Sequence, residues 1–495
     1  MHNEQVFTPE HVVDTMFEEL EYRGRKIRKK HIIDNSCGNG AILKKVVRRY
    51  INVCIMCGLP KEETIKELET YIHGIEIDGT LVKETIDNLN KITEEYSLGD
   101  VNWDIICGDT MFIRTFDGLM DYVIGNPPYC NIHDIPEEKR KYVKGYNFAN
   151  GGMTDLYLVF FEIGINMLNE NGKLAYITPN SWLTSTAGTN FRNYLKESKT
   201  LLEIYQYGHK KIFDKVNTYT CITFLCKTPK SNNVFICYRD IENQHGLIQW
   251  DYMKQTVENL DDCMINGKIY LTDESTLKVL SEIGEINEKT KKNKDRIRVK
   301  NGFATLNDNF FIIDDYKDKE DKNVLLTHKA SKDERHYFFY PYDENGKPMS
   351  LLDINDDLVS YMRDRMLDFD VDVENVAWYL YGRTQALNDV KYDKLIVNNL
   401  IRRESDVKVK LLLGQQGVYS GFYIPLYDSY KNRSHQLIRF IECKEFINYI
   451  KAVGKYKNGG YYTFSSKELE AWLNYCVYKE NDLNLTCLDY KWYRI

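Results

Sequence analysis

The tetrapeptide Asn126-Pro127-Pro128-Tyr129 combines groups that can hold a planar, conjugated amine. Consecutive prolines fix the backbone φ and remove two N–H donors while leaving the carbonyl groups free to accept hydrogen bonds. The side-chain carbonyl of Asn126 and the backbone carbonyl of Pro127 can each accept one amine hydrogen, and Tyr129 offers an aromatic face to the attached ring. Two such bonds favour a pyramidal nitrogen with an available lone pair, which is activation by positioning and electrostatics without a general base.

A glycine-containing turn, running from Asp34 through Ser36 and Cys37 to Gly40, follows a short predicted strand and opens a predicted helix. Gly38 and Gly40 permit positive φ and a close approach of the backbone to a ligand. In an open α/β sheet, such a turn lies at the carboxyl end of a strand, where ligands bind. The turn has neither the complete Gly-x-Gly-x-x-Gly of a dinucleotide site nor the Lys-Ser/Thr pair of a P-loop.

Acidic residues end the next two predicted strands. Glu76, followed by Ile77, can accept hydrogen bonds from two ribose hydroxyls, and Asp109 can accept one from an adenine amine. Each acid alone is commonly a turn or helix-cap residue. Because Asp34, Glu76 and Asp109 come at successive strand ends, together they predict an adenosine pocket.

The elements that must position these residues alternate between strand and helix. Hydrophobic periodicity predicts helices at 10–22, 40–57, 80–96, 155–169 and 188–197, and strands at 31–35, 71–77, 103–107, 119–125, 173–178, 201–207 and 218–226. This alternation predicts a parallel, Rossmann-like α/β sheet covered on both faces. The short loop between the last two strands predicts an antiparallel hairpin at one end of the sheet.

The alternation stops near the polar stretch 227–233, and the second half reads as an α+β module. We therefore predict a catalytic domain over 1–228, a hinge over 229–300 and a second domain over 301–495. The hinge contains a run of basic residues, which is either a solvated linker or a strip that contacts phosphates. Its members are Lys289, Lys291, Lys292, Lys294, Arg296, Arg298 and Lys300.

Composition limits the remaining choices. The 495 residues exceed one ordinary core, and 43% hydrophobic with 28% charged residues is typical of a globular protein. No apolar run approaches the roughly 18 residues of a membrane span, and the N-terminus lacks a secretory signal. We expect a cytoplasmic protein without membrane contact, with reduced cysteines; Cys54 and Cys57 fit buried packing better than a metal site. The net charge of −7 argues only mildly against nucleic acid as a partner.

The order of these motifs resembles the adenine-specific DNA methyltransferases of the TaqI type, in which the catalytic domain precedes a target-recognition domain. Phe7-Thr8-Pro9 matches the family motif beside the methionine part of the cofactor, and Phe213 corresponds to a second aromatic that sandwiches a flipped base. Thr110 departs from the aromatic residue that commonly follows Asp109. Phe160, after Asp155-Leu156-Tyr157, either packs on the cofactor adenine or belongs to the core.

The resemblance implies S-adenosylmethionine as co-substrate, no metal, and methyl transfer to the N6 amine of a flipped adenine in double-stranded DNA. The cofactor residues would be those of the motifs above, with Asn126 bordering the cofactor as well. It also implies restriction-modification, with a separately encoded endonuclease as a candidate partner. The stretches 299–305, 381–387 and 460–465 resemble the recognition domain. Arg383, Arg402, Arg403 and Arg433 are either DNA contacts or ordinary surface arginines.

Other acceptors remain open, because an Asn-Pro-Pro-Tyr motif also occurs in enzymes that methylate guanine amines of RNA or glutamine amides of proteins. A non-enzymatic specificity subunit would require a broken motif, and every key position is intact. Related enzymes can carry a fused nuclease. We expect a stand-alone modification enzyme, because the cofactor motif begins at Phe7 and no Pro-Asp followed by Glu-x-Lys is found downstream.

Overall fold

A computed structural model describes residues 8–151, 153–213, 219–242, 248–369, 371–372, 376–427 and 429–482. The chain divides into two compact units, Met1–Asp273 and Glu274–Ile495. Among the described residues, no helix is both long and apolar enough to cross a membrane.

The first unit alternates helices and strands along the chain. Its helices are α1 (Glu10–Glu19), α2 (Ala41–Met56), α3 (Lys61–Tyr71), α4 (Gly79–Glu95), α5 (Glu137–Val143), α6 (Leu156–Met167) and α7 (Thr189–Ser198). Its strands are β1 (Ile32–Asp34), β2 (Ile72–Glu76), β3 (Asp104–Cys107), β4 (Met120–Gly125), β5 (Leu168–Pro179), β6 (Leu201–Gln206), β7 (Thr220–Cys226), β8 (Asn233–Glu242), β9 (Ile248–Val257), β10 (Met264–Ile265) and β11 (Lys268–Ile269). Short 3-10 turns at 110–112 and 180–183 follow β3 and β5.

Nine of these strands form one sheet in the order β3-β2-β1-β4-β5-β7-β6-β8-β9. The strands β3 to β5 are parallel, and β7 runs antiparallel to both β5 and β6. The predicted Rossmann-like α/β domain and the antiparallel pairing of β6 with β7 are confirmed, but this hairpin does not end the sheet, because β8 and β9 extend it beyond β6.

Apolar side chains at helical spacing explain why the covering helices pack on the sheet. In α2, Ile42, Leu43, Val46, Val47 and Tyr50 are buried together, which is the stripe expected of a helix with one face on a core. Neither α3, where only Thr64, Glu67 and Leu68 are buried, nor the short α5 was predicted from the sequence.

The first unit continues past the predicted domain end at 228. The strand β8 pairs in parallel with β6, and β9 pairs antiparallel with β8, so the sheet continues through residue 257. The compact division falls between Asp273 and Glu274, within the segment that the sequence suggested as a hinge. The assignment of separate functions to these segments stays a prediction.

The second unit mixes short strands with helices, which confirms the α+β module. Its helices are α8 (Glu274–Thr290), α9 (Asp308–Phe311), α10 (Asp356–Arg365), α11 (Ser434–Ile441), α12 (Lys444–Val453) and α13 (Ser466–Asp482). Its strands are β12 (Lys300–Asn301), β13 (Val324–Lys329), β14 (Glu334–Phe339), β15 (Lys394–Val397), β16 (Leu400–Ile401), β17 (Val409–Leu412), β18 (Gly417–Tyr419), β19 (Phe422–Pro425), β20 (Lys455–Lys457) and β21 (Tyr461–Thr463). They form small sheets ordered β12-β19-β15-β17, β14-β13-β18 and β16-β21-β20 around an aromatic-rich core.

Candidate active site

Strand register brings the predicted acids and the tetrapeptide to one edge of the sheet. Asp34 on β1 lies level with Gly74 on β2 and with Ile124 on β4. The tetrapeptide starts two residues beyond Ile124, and Glu76 lies two residues beyond Gly74. Since parallel strands share a direction, their carboxyl ends form a common edge, where ligands of α/β proteins bind.

The glycine turn is fixed by helix α4 on one side and by β2 on the other. Gly38 and Gly40 have φ of +54° and +79°, in the left-handed region that glycine adopts readily. The Thr85 hydroxyl of α4 donates to the Gly38 carbonyl at 2.7 Å, and a Cβ on Gly40 would lie 3.0 Å from the Thr85 methyl. Cys37 is buried, its N–H donates to the Ile75 carbonyl at 3.0 Å, and burial raises the pKa of its thiol.

Asp34 is 1% exposed and its carboxylate accepts the Ser36 N–H at 3.1 Å. Burial raises the pKa of Asp34 to about 7, and the neighbouring charge of Glu76 adds to this, while the Ser36 hydrogen bond opposes it. The Ser36 hydroxyl is buried and has no hydrogen-bond partner within the described part of the chain. A buried polar atom without a partner is unusual in proteins, and a bound ligand is one way to satisfy it.

Glu76 ends β2 and already holds the turn in shape. Its carboxylate accepts the Gly38 N–H at 2.8 Å and the Asp78 N–H at 3.0 Å, one on each oxygen. A carboxylate oxygen has two acceptor positions, so both oxygens retain capacity for a ligand hydroxyl. The adjacent Ile77 is 59% exposed, which leaves an apolar surface next to that carboxylate.

Asp109 follows β3 and is held in a more crowded setting than the sequence suggested. One carboxylate oxygen accepts the Met111 N–H at 3.1 Å, and the other forms an ion pair with Lys139 of α5 at 3.2 Å. Thr110, where the TaqI type commonly has an aromatic residue, is buried, and its hydroxyl donates to the Asn35 carbonyl at 2.7 Å. The threonine therefore ties the end of β3 to the turn after β1.

The tetrapeptide leaves β4 at the same edge. Pro127 is buried, Asn126 is partly buried, and the Tyr129 hydroxyl donates to the Ile177 carbonyl of β5 at 3.2 Å. The predicted partner aromatic, Phe213, is buried and meets the Tyr129 ring edge to face, with centroids 6.4 Å apart and planes at 67°. The two rings are neighbours, but they are not parallel as a base sandwich requires.

The remaining predicted cofactor residues lie immediately before α1 and on α6. Thr8 is buried and Pro9 precedes the first residue of α1, whereas Phe7 lies outside the described residues. Phe160 on α6 is 6% exposed, which favours the core alternative over a ligand-facing ring.

Several contacts around the tetrapeptide were not evident from the sequence. The carboxylate of Asp155 accepts the Cys130 N–H at 3.0 Å, and burial raises the pKa of Asp155. The buried Tyr157 shares a hydrogen bond of 3.1 Å with Ser181, which follows β5. The resemblance singled out Asp155 and Tyr157, but no local pattern marked Ser181.

The donor set of this edge fits S-adenosylmethionine. The glycine turn, the unpaired Ser36 hydroxyl and the carboxylates of Glu76 and Asp109 supply close backbone approach and acceptors at three neighbouring strand ends. The described residues contain no group of three or more His, Cys, Asp or Glu side chains that could hold a metal ion. In the Cys54-x-x-Cys57 pair, Cys54 is fully buried, and its thiol lies 3.8 Å from a Glu67 oxygen.

In the second unit, most of the candidate DNA-contacting side chains already have partners. Arg433 pairs with Glu480 at 3.1 Å, and an Arg402 guanidinium nitrogen donates to the Gly459 carbonyl at 3.3 Å. Within the basic run, Arg296 and Arg298 contact Glu470 and Lys300 contacts Asp389, so these three stabilise the unit. Arg403 is exposed in the turn after β16, and its backbone N–H donates to the Asp406 carboxylate at 3.0 Å. The exposed residues among the basic run and the candidate arginines are Lys289, Lys291, Lys292, Lys294, Arg298, Arg383 and Arg403.

The sheet order, the glycine turn and the acids at successive strand ends give the first unit a methyltransferase-like fold. Residues 51–213 match the model of the family described as Eco57I restriction-modification methylase. The chain is 25% identical to the type II restriction enzyme and methyltransferase RM.Eco57I of Escherichia coli, over 80% of this chain and 49% of that protein. It is 27% identical to the type II methyltransferase M.BstVI of Geobacillus stearothermophilus, over 45% of this chain and 42% of that protein.

The chain spans about half the length of these curated relatives. Its fold is similar to that of MmeI, a type IIL restriction-modification enzyme solved in complex with DNA, with a TM-score of 0.61 at 13% identity. That alignment covers 92% of this chain and 64% of MmeI. The predicted relationship to restriction-modification methyltransferases is confirmed, and the fold likeness to MmeI extends into the second unit.

Proposed function

We propose that the chain transfers a methyl group from S-adenosylmethionine to the N6 amine of adenine in double-stranded DNA. The observation that carries this proposal is the position of Asn126-Pro127-Pro128-Tyr129 at the end of β4, beside the strand that ends in Asp34. In this arrangement an amine acceptor and an adenosine-containing donor would occupy neighbouring sites at one sheet edge. The relatives' names and the second unit support DNA as the substrate.

The chain's own residues would act by binding and orientation. When bound, S-adenosylmethionine supplies an electrophilic methyl group on a positively charged sulfur. The Asn126 side-chain carbonyl and the Pro127 backbone carbonyl accept the two amine hydrogens, which directs the nitrogen lone pair towards that methyl group. The N–C bond would form as the C–S bond breaks, which leaves S-adenosylhomocysteine, and the methylated amine would then release a proton to solvent.

The base must leave the duplex to reach this edge, which costs a few kcal/mol. Stacking on an aromatic side chain is worth about 1–3 kcal/mol per base and offsets part of that cost. The hydrogen bond from Tyr129 to the Ile177 carbonyl fixes one aromatic face. Phe213 would have to turn from its edge-to-face position to cover the other face.

Single-molecule sequencing of DNA from a methylation-free host that expresses the chain tests this function. We expect N6-methyladenine in one short recurring sequence. Asn126→Ala should lower methylation by at least about 100-fold, as is typical when a stabilising contact of the transition state is removed, while binding of S-adenosylhomocysteine remains. Methylation of RNA or of protein glutamine instead of DNA would contradict the proposal, as would undiminished activity of the Asn126→Ala variant.

A further inference from the structure

Leu306, in the second unit, is an exposed apolar side chain in an unfavourable backbone conformation. It is 77% exposed and has a φ of +71°. Isolated exposed leucines are common on protein surfaces and carry no information by themselves. A left-handed backbone at a branched, bulky residue is rare, and such residues concentrate at functional sites.

Neighbouring side chains impose this conformation. The Thr305 hydroxyl donates to the Asp308 carboxylate at 2.5 Å and accepts the Asn307 N–H at 3.2 Å. The Asn307 side chain in turn accepts the Phe310 N–H of α9 at 3.4 Å. Because Thr305 is buried and Asn307 caps α9, the backbone on both sides of Leu306 is fixed.

A second segment supports Leu306 from the side. The N–H of Arg383 donates to the Ala304 carbonyl at 2.8 Å, and the Ala304 N–H donates back to the Arg383 carbonyl at 3.2 Å. Gly382, the residue before Arg383, has no side chain, and a Cβ there would overlap the Cγ and Cδ1 atoms of Leu306. We call residues 304–306 and 382–385 the tip.

The polar groups of the tip are arranged around the leucine. Arg383 and Thr384 are exposed, and no side-chain hydrogen bond or ion pair of Arg383 occurs with any described residue. Gln385 is different, because its amide donates to the Gly302 carbonyl at 3.0 Å and is part of the support. The tip therefore presents one apolar side chain flanked by a cation and a hydroxyl.

We propose that Leu306 is a wedge that inserts between the bases of duplex DNA, with Arg383 on an adjacent phosphate. Proteins that distort DNA insert apolar side chains between base steps and bind the backbone with nearby arginines. A wedge must hold its position while it displaces stacked bases, and the fixed backbone of Leu306 provides this rigidity. The proposal rests on the proposed function, because it takes DNA as the substrate.

Photo-crosslinking tests the proposal without knowledge of the recognised sequence. The full chain would carry p-benzoylphenylalanine at position 306 or, as a control, in place of Leu352, which is 93% exposed in the same unit. Sheared genomic DNA from a methylation-free bacterial host is the probe. We expect DNA crosslinks from position 306 and at least tenfold fewer from 352. Binding of DNA without crosslinks from 306 overturns the wedge alone, whereas failure of the unmodified chain to bind DNA overturns the DNA substrate as well.

Substitutions at the tip provide a second test on the same DNA. Leu306→Ala should weaken binding about tenfold, and Gly382→Ala should do the same by displacing the leucine. The double variant should bind no worse than either single variant, because both substitutions remove the same interaction with DNA. Leu352→Ala should bind like the unchanged chain. Additive losses, or unchanged binding by Leu306→Ala, would overturn the proposal.

Stability measurements distinguish a role of Leu306 in DNA binding from a role in folding. Leu306→Gly relieves the left-handed backbone and should raise the melting temperature while it weakens DNA binding. A lower melting temperature together with unchanged DNA binding would assign Leu306 to folding. Arg383→Gln should reduce the dependence of DNA affinity on salt, because about one released counterion is lost with each phosphate contact.

Discussion

Asp34 holds a carboxyl group where burial opposes its ionisation. The group is 1% exposed, and burial raises its pKa to about 7, against an ordinary value of about 3.9 in an unfolded chain. Between these two values the folded protein binds more protons than the unfolded chain. The free energy of unfolding therefore falls as the pH rises through that range.

Asp34→Asn should remove this loss of stability, because asparagine carries no charge and its carbonyl can still accept the Ser36 N–H. One pKa unit is worth about 1.4 kcal/mol, and the pKa of Asp34 is raised by about three units, so the variant should gain on the order of 4 kcal/mol relative to the unchanged chain between pH 4 and pH 8. Urea unfolding at both pH values measures the difference. Asp87→Asn, on the exposed face of α4, should show no such gain. Equal pH dependence in all three proteins would contradict the role assigned to Asp34.

Lys139 forms an ion pair with the carboxylate of Asp109, the group that we expect to accept a hydrogen bond from the adenine amine of the cofactor. It pairs with Asp109 at 3.2 Å, and the lysine side chain is 41% exposed. Exposed ion pairs are worth about 0.2–1 kcal/mol. Lys139→Met should therefore tighten S-adenosylhomocysteine binding by roughly 1.5- to 5-fold at low salt, measured by calorimetry, since 1.4 kcal/mol corresponds to about tenfold.

The matched control for this prediction lies on the same helix. Lys141 lies over the ring of Tyr142 at 4.9 Å, whereas the ion pair of Asp109 is with Lys139, so Lys141→Met should bind S-adenosylhomocysteine like the unchanged chain. Weaker binding by Lys139→Met would mean that the lysine orients Asp109 for the cofactor.

At the scale of elements, Glu67 joins α3 to α2 and to the segment before β1. Its buried carboxylate accepts hydrogen bonds from Arg28 at 2.5 and 3.1 Å and from the Tyr50 hydroxyl at 3.0 Å. Burial alone would raise the pKa of Glu67, but these bonds outweigh it, and its pKa is lowered. The stabilisation is present above about pH 4.3, the ordinary glutamate pKa, and is lost as the pH falls towards the folded pKa.

Glu67→Gln should lower the free energy of unfolding by about 2 kcal/mol at pH 7, the usual worth of a hydrogen bond to a charged group. The loss should shrink as the pH falls below 4. Glu63, which faces Arg28 at 3.6 Å and is 52% exposed, provides the control, and Glu63→Gln should change stability by less than about 0.5 kcal/mol. Equal effects of the two substitutions would show that burial of Glu67 is unimportant.

The sequence predicts those elements whose buried faces repeat regularly. All twelve predicted helices and strands of the first 228 residues occur in the structure, because runs such as Ile42 to Tyr50 bury a continuous apolar stripe. The helix α3 was missed since it buries few apolar residues and carries a buried glutamate instead. The strands β8 and β9 lie past a polar stretch that also marks domain ends, so local sequence did not distinguish a loop from a boundary.

In the candidate site, too, local sequence predicts some features and not others. Asp34, Glu76, Asp109 and Asn126 are set by strand ends, which local sequence reveals. Local sequence does not reveal the long-range partners of these residues. The contact of Lys139 with Asp109 depends on how α5 packs near the end of β3. The hydrogen bond from Thr110 to Asn35 depends on the position of β3 relative to the turn after β1. The edge-to-face position of Phe213 likewise depends on packing that spacing does not encode.

For the whole molecule, the division at Asp273 and Glu274 has a direct consequence for the sheet. A chain ending at 228 would lack β8 and leave the backbone of β6 unpaired on one side. Exposed sheet edges are templates for aggregation. The fragment 1–273 retains both β8 and β9, so its sheet has the same order as in the full chain.

We therefore expect the fragment 1–273 to be monodisperse and to bind S-adenosylhomocysteine with the affinity of the full chain, because every candidate cofactor residue lies within it. The fragment 1–228 should aggregate, which size-exclusion chromatography would detect. If the second unit provides recognition of DNA, the fragment 1–273 should lose sequence-specific affinity, typically 10³-fold or more above non-specific binding. If the fragment 1–273 fully methylates the DNA sequence that the full chain methylates, recognition lies in the first unit. If that fragment fails to bind S-adenosylhomocysteine, the cofactor site requires residues beyond 273.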